Sequence, residues 1–583
     1  MPRLPKFPPF RRMSHLGRAA QSVLRDGAIL LYALIAVALL NALGQVFYFR
    51  ADLTGDKRYT LSPATRAMLD TLPSTLYVRT YLGGDLPLEF ARLRSSLQEM
   101  LEEYSVASHH RVQFLHEDPN AIADERERAH FHDQLIRDGI TPISTQERSK
   151  DGSLTERLVF PALTMSYAGR TAQAHLYHER ITLSAADNVD LAIQSLEHTL
   201  TTALARLLRS QKPSLAFLHG HDELSENETA DWAKTLSDDF EVSHHTLTPQ
   251  VGSLDGYHVA IVANPTRPYT EGEKLVLDQY LMRGGCLLFM VSPVSVGLDT
   301  LQRGSETLAY PVDHNLGDLF FRWGVRLSPH LLQDMQCAPV PINTALAGQP
   351  ARFTPMPWLY FPLLTPGPRS LISRNVNLVY SHFPSPIELT QGVDTLRGQV
   401  LLTTSAHARA LSVPRLINLE EVRQPISPQH MNLSYVPVGI TLEGRFSSLY
   451  AHRPVSSIAG GQQFEFRERG PVARMAIIAD GSIARNDVRV RGAQTQVLPL
   501  GFDRFTQQTF GNKELLSNVA FYLAGFDDLL SLRGREVRVR ILNQETIVQH
   551  RQRWQILNLL LPSILLLLVG AAWQLLRWWR YAR

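Results

Sequence analysis

The stretch GAILLYALIAVALLNALGQVFYF, Gly27 to Phe49, constrains this chain most. Its 23 residues carry no charge, and at about 1.5 Å per residue they can cross about 30 Å of hydrocarbon. Twelve of them are Leu, Ile, Val or Phe. Each favours the helix centre by roughly 0.3 to 0.6 kcal/mol, which outweighs Asn41 and Gln45. A membrane span is expected. Arg3, Lys6, Arg11, Arg12, Arg18 and Arg25 precede it, with Asp26 as the lone acid, so the positive-inside bias holds residues 1–26 in the cytoplasm and sends the chain beyond Phe49 outward. A cleaved signal peptide is the rival reading, but the apolar region exceeds a signal's usual length and no A-x-A-like site ends it.

A second span is expected at residues 556–576, ILNLLLPSILLLLVGAAWQLL, whose only awkward residues are Asn558, Pro562 and Gln574. Trp573, Trp578, Trp579 and Tyr581, with Arg577, Arg580 and Arg583, read as an interfacial belt leading into a cytoplasmic tail, residues 577–583. Arg533, Arg535, Arg538, Arg540, Arg551 and Arg553 lie on the other side of this span, so its local charge bias alone does not set the direction, and the first helix is taken to dominate. The expected location is a bacterial inner membrane, with both termini cytoplasmic and a large periplasmic region between.

The 583 residues, less two spans, leave room for about three domains. With 19% charged and 44% hydrophobic residues the chain is neither disordered nor a polytopic transporter. A net charge of +3 gives no reason to expect nucleic acid. Cys286 and Cys337 are the only cysteines; they make no disulfide framework and by themselves no zinc site, and whether they pair is not legible.

Residues 50–74 read as a juxtamembrane segment in which Ser62 and Pro63 open a short helix to Leu72. Asp52, Asp56, Lys57 and Arg58 are either a solvated turn or a contact with a membrane partner. Residues 75–210 then read strand, helix (Leu86 to Ala107), strand, helix (Asn120 to Asp138), a polar loop (Pro142 to Glu156), a hairpin turning at Ala168 and Gly169, and a long helix from Asp187 to Leu208. The order βαβαββα predicts a thioredoxin-like domain. It has no Cys-x-x-Cys, so it is expected to be a scaffold without redox chemistry.

After a linker, residues 213–530 change character. LAFLHGH, VAIVAN, CLLFMVS, VLLTTSA and RMAIIADG are near-continuous apolar runs, as in strands covered on both faces of a parallel sheet. Capping boxes, Ser225 with Glu228 and Thr270 with Glu273, open helices from Glu226 and Glu271. A doubly wound α/β domain is expected. Eight prolines between Ala338 and Arg369 predict an irregular, extended insertion there. Pro437 to Ala451 should add an edge strand, Gly511 to Ala524 a helix, and residues 531–555 a stalk.

Chemistry is sparse. HGHDE, His219 to Glu223, follows the first strand of the sheet, where such folds place ligands, and offers His219, His221, Asp222 and Glu223. Its plain reading is a polar turn before a capped helix. Asp480, at another strand end, either lines the same crevice or serves a turn. AGGQQ, Ala459 to Gln463, is like an ABC ATPase signature, but no phosphate-cradling G-x-x-x-x-G-K-[ST] accompanies it. Cys286 opens a strand where a nucleophile elbow would need to end one, and no G-x-S-x-G occurs. No catalytic residue, metal ligand set or cofactor is expected.

Several segments occur in a familiar order: DLTGDKRYTLSPAT, TYLGGDLPLEFARLRSSLQEMLEEY, VQFLHEDPN, SLAFLHGHDEL, VANPTRPYTEGEKLVLDQYLMRGGCLLFM, FGNKELLSNVAFYL and the closing span. By these the chain resembles the GldG family, the auxiliary, substrate-binding-like component of the gliding-motility-associated ABC transporter. The resemblance implies a middle domain like that of intraflagellar-transport proteins, an amidotransferase-like α/β unit without catalytic residues. It also implies two partners, a polytopic permease of GldF type and a cytoplasmic ATPase of GldA type. The expected role is a non-enzymatic accessory subunit that meets membrane lipid and binds an envelope cargo or partner; the rival is an envelope scaffold or motility structural protein without transport.

Overall fold

The computed structural model describes residues 60–533 except 138–139, 141, 149–153, 178–183, 210, 346–349, 351, 369, 375, 391–395, 424–427 and 492–493, together with 544–581 and, within 31–41, all but 33 and 40. Asp52, Asp56, Lys57 and Arg58 lie outside the described residues, as does most of the first expected span. Residues 31, 32, 34–39 and 41 are helical, and Leu31, Leu34, Val37 and Leu39 stand exposed on them.

The fold is mixed α/β. Ser62 caps α1 (Pro63–Asp70), its hydroxyl accepting from the Thr65 amide at 3.1 Å, with proline at the first helical position. Next in the chain come β1 (Leu76–Thr80), α2 (Leu88–Ala107), β2 (Val112–His116), α3 (Glu125–Arg137), β3 (Ile143–Arg148), β4 (Leu154–Val159), β5 (Ala162–Tyr167), β6 (Arg170–His175) and α4 (Ala185–Leu208). The pair β3 and β4 corrects the polar loop expected at Pro142 to Glu156. Its strands pair only with each other, Ile143 opposite Val159, and the stretches ISTQER and LTERLV carry no two-residue apolar alternation by which a strand is read.

β1 runs parallel to β2 and antiparallel to β5, and β5 antiparallel to β6, giving the order β2-β1-β5-β6. Apolar stripes on α2 (Phe90, Leu93, Leu97, Leu101) and α4 (Val189, Leu196, Leu200, Leu204) cover one face, over Leu76, Val78, Leu163 and Met165. The intervening residues turn to the other face. There Tyr77 stands opposite Gln113 and Ser166, and Ser166 opposite Thr171, so the four make one row across the sheet. Leu115, Arg79, Thr164 and Gln173 make the next row by the same register.

The second sheet has ten strands. Five are parallel: β7 (Ser214–His219), β8 (Glu241–Thr246), β9 (Val259–Ala263), β10 (Cys286–Met290) and, later in the chain, the long strand Arg469–Ile478. With α5 (Glu226–Leu236) and α6 (Glu271–Met282) between them, these form the wound part. Then β11 (Cys337–Asn343), β12 (Phe353–Pro366), β13 (Leu396–Thr403) and β14 (Pro437–Ser447) lead antiparallel, each to the next, into Arg469–Ile478, here β15. The order is β11-β12-β13-β14-β15-β10-β9-β7-β8, with Val379–Tyr380 pairing β12.

Two expectations are therefore corrected. The sheet is mixed, not wholly parallel, and β14 is a central strand, not an edge. Val438, Ile440 and Leu442 of β14 are buried between β13 and β15, and an apolar run does not reveal the direction of its neighbours. The proline-rich insertion is extended, as expected, and forms the long β11–β12 pair. Pro339 faces Pro357 and Pro341 faces Pro355. Lacking N–H groups, facing prolines can occupy only the non-hydrogen-bonded pairs of such a ladder, so the ladder loses nothing.

Each face of the sheet has its own core. α6 packs on one with Leu275, Leu277 and Leu281. Trp232 and Leu236 of α5 pack on the other beside Leu515, Leu516 and Val519 of α7 (Asn512–Leu523). After α8 (Asp527–Arg533) the described chain resumes as α9, Gln544–Tyr581, a 38-residue helix. Its Leu560–Arg580 portion is long and apolar enough to cross a membrane, with Pro562 inside the helix.

Two helices far apart in sequence, α1 and α8, meet on α4. Met68 of α1 and Leu529 and Leu532 of α8 pack together on Ala205. The Glu197 carboxylate of α4 accepts from the Ser62 amide at 2.6 Å and the Thr65 hydroxyl at 2.9 Å. Arg206 of α4 and Arg209 just beyond its end reach over to Asp239, Arg206 with two bonds of 2.9 and 2.7 Å.

Candidate functional site

The carboxyl ends of parallel strands are where the sequence places its candidates. β7 ends at His219. Gly220, at φ 135°, permits a bend that a side chain would resist, and Asp222 lies beyond it at φ 55°. The bend turns His221 inward until 4% of it is exposed. Its Nε2 lies 3.1 Å from Glu273 Oε2 and its Nδ1 3.4 Å from Glu223 Oε1. Its ring stacks on Tyr269 at 3.6 Å, and the Tyr269 hydroxyl donates to Glu223 at 2.9 Å. Burial alone would lower the His221 pKa, but the bonds to Glu223 and Glu273 outweigh it and hold the value above the ordinary one. Burial likewise pushes Glu223 up, and the His221 and Tyr269 donors bring it below the usual range. The group is a buried imidazole held between two carboxylates, which favour its charged form.

His219 and Asp222 do not join it. His219 Nε2 is 2.9 Å from Nδ1 of His244 on β8, and the rings stack at 5.1 Å. Burial, and then His244, lower the His219 pKa. Asp222 pairs on the surface with Arg267 at 2.6 Å, both more than half exposed.

Asp480 is fully buried and accepts from the Ser381 hydroxyl (2.6 Å), the His382 amide (3.1 Å) and the Ser482 amide and hydroxyl (2.8 and 2.6 Å). Burial pushes its pKa up against these donors. Its bonds thus run to the 381–382 and 481–482 segments, and none runs to the His219–Glu223 turn, so the shared crevice expected from the sequence is not formed by direct contact. Beside it the Ser292 hydroxyl donates to Asn264 Oδ1 at 3.1 Å and accepts from the Gly481 amide at 2.9 Å. The His382 ring sits between Phe361 (4.3 Å) and Tyr380 (4.6 Å), and burial brings its pKa down to about 3.

Tyr269, Glu273, His244, Asn264, Ser292 and His382 complete this crest, and sequence reasoning misses them as site residues. Glu273 reads from the sequence as a helix cap, and it is one, its carboxylate accepting from the Thr270 amide at 2.9 Å. Its place at the N-terminus of the helix after β9 is the available signal for a second role. The others are joined to the crest by contacts far apart in sequence.

The arrangement ties strand ends together. The Ser292 proton goes to an amide oxygen, which is no base, and the His221 nitrogens face carboxylates, not a nucleophile. Cys286 stands at the start of β10, the end away from the crest, and burial raises its thiol pKa; that of Cys337 is pushed to about 12. Both cysteines are free. No metal-ligating group of three or more His, Cys, Asp or Glu occurs among the described residues. In AGGQQ, the Gln462 amide bonds the Val251 backbone in both directions at 3.0 Å, a structural use of the motif.

Residues 55–166 match a domain of unknown function, DUF7088. No curated protein matches the chain. Among solved structures, the N-terminal domain of mmIFT52 is 13% identical over 53% of this chain and 96% of its own, with a TM-score of 0.30. A ThuA-like protein from Parabacteroides merdae is 11% identical over 54% of this chain and 90% of its own, with a TM-score of 0.25. These likenesses are too slight to carry an argument. Residues 212–519 match the auxiliary family described as an ABC-type uncharacterized transport system. That match takes in more than half of the chain, and the chain belongs to this family.

Proposed function

We propose that the protein is a non-enzymatic, membrane-anchored accessory subunit of an ABC transporter of the GldG kind, working with a polytopic permease of GldF type and a cytoplasmic ATPase of GldA type. The family match over residues 212–519 carries the reading. The apolar Leu560–Arg580 stretch supports an anchor in the inner membrane; the span at Gly27–Phe49 would be the second, placing the bulk of the chain in the periplasm. The strand order β2-β1-β5-β6 favours a thioredoxin-like first domain, and the five parallel strands favour an amidotransferase-like second one. A non-enzymatic role is supported by the crest, whose chemically capable groups are engaged with one another.

The proposed mechanism is mechanical. Because α1, which follows the first span in the chain, and α8, which precedes the second, both pack on α4, a displacement of either span would reach α4. The test is ATP hydrolysis by permease, ATPase and this protein reconstituted in liposomes. The rate is expected to change when residues 75–530 are deleted; an unchanged rate with the truncated protein still in the complex would overturn the coupling role.

A further inference from the structure

A polar sheet face open to water is ordinary. The bare face of the first sheet departs from that: Tyr77 and Leu115 are 57% and 63% exposed within it, and it bounds an open hollow of about 580 Å³. We propose that this hollow is a binding site for a neutral oligosaccharide, an assignment that needs nothing from the accessory role.

The register makes the argument. Each row takes one side chain from each of four strands, spaced about 4.8 Å apart, so the face is a platform rather than a deep pocket. The Tyr77 ring offers a flat apolar plate at its centre. Gln113 lies beside it in the same row, and Gln173 closes the next row at the opposite edge. An amide both donates and accepts, as do the hydroxyls between them. A sugar ring presents the matching pair of surfaces, an apolar C–H face and a rim of hydroxyls that donate and accept.

Charge narrows the class further. Arg79 is the single ionic group in the two rows, and Glu117 Oε2 lies 3.5 Å from its Nε. With that pair neutralised, the platform offers a polyanion no excess positive field and a cation no carboxylate of its own. The volume falls within the range of about 300 to 1,000 Å³ of small-ligand sites, and its openness suits a few units of a longer chain.

The experiment uses the full chain in mild detergent, titrated with maltohexaose, cellohexaose and chitohexaose, and with dextran sulfate and a neutral decapeptide as comparators, by calorimetry and saturation-transfer NMR. At least one hexaose is expected to bind saturably. Tyr77→Ala and Gln173→Ala should each weaken it about tenfold or more, and Leu308→Ala, an exposed residue of the strand Glu306–Pro311 in a separate three-stranded sheet, should not. Tyr77 is exposed, so its truncation leaves the core intact. The proposal is overturned if none of the three hexaoses binds, if Tyr77→Ala leaves binding unchanged, or if the sulfated polymer or the peptide binds in their place. None of these outcomes bears on recovery of a permease and an ATPase with the protein.

Discussion

Glu273 Oε2 lies 3.1 Å from His221 Nε2 and 2.9 Å from the backbone nitrogen of Thr270. One carboxylate oxygen thus caps α6 and grips the turn after β7. Cap and clamp share a fate, and both depend on protonation.

Folding holds His221 above its ordinary value of 6.5, because the bonds to Glu223 and Glu273 outweigh the effect of burial. Its contribution to stability is therefore full below pH 6.5 and lost as pH rises through the folded value. Glu223 and Glu273 are held below 4.5, against burial, by their donors; their contribution is present above 4.5 and lost as pH falls through their folded values. Thermal melting should show this region most stable between about pH 4.5 and 6.5. His221→Gln should flatten the alkaline decline, and a decline that parallels the parent's would refute the clamp.

Gly481 sits directly after Asp480, where a Cβ would come within 2.0 Å of Asn264 Oδ1 and 2.4 Å of its Cβ. Asn264 is itself held at φ 55° and accepts from Ser292, so it has little room to withdraw. Gly481→Ala is expected to lower stability by about 1 to 3 kcal/mol in chemical denaturation. Gly304→Ala meets nothing within 4 Å and should stay within about 0.5 kcal/mol of the parent.

Elements with a local signature are legible in the sequence. Ser62 and Pro63, the two capping boxes, and the Ala168–Gly169 turn, at φ 47° and 77°, are read within four residues, and their helices and hairpin lie where they are expected. Strand order is not legible, because β14 enters between β13 and β15 through pairings tens of residues apart. The site divides the same way. HGHDE announces a turn at a strand end, but only tertiary contact sends His219 to His244 and His221 to Glu273. Asp480 lies buried among serines from two segments nearly a hundred residues apart, which no spacing encodes.

Asp239 is 2% exposed and held by Arg206. Arg206→Ala would leave a buried carboxylate with only Arg209, 3.5 Å away. A loss of about 3 kcal/mol is expected, and Asp239→Asn in the same background should recover part of it. Lack of recovery would mean that the pair contributes through packing and not through charge.

Glu197 holds the amide of Ser62 and the hydroxyl of Thr65. Glu197→Ala should cost about 1 to 3 kcal/mol and speed amide exchange across residues 61–72 more than across β7 to β10. Uniform acceleration would deny α4 its role as the anchor of α1.

The central claim is membership of a transport complex, and recovery of the tagged full chain from mild detergent tests it most directly. A polytopic permease and a cytoplasmic ATPase should come with it in reproducible proportion. Repeated recovery of the chain alone, from membranes that contain both, would contradict the account.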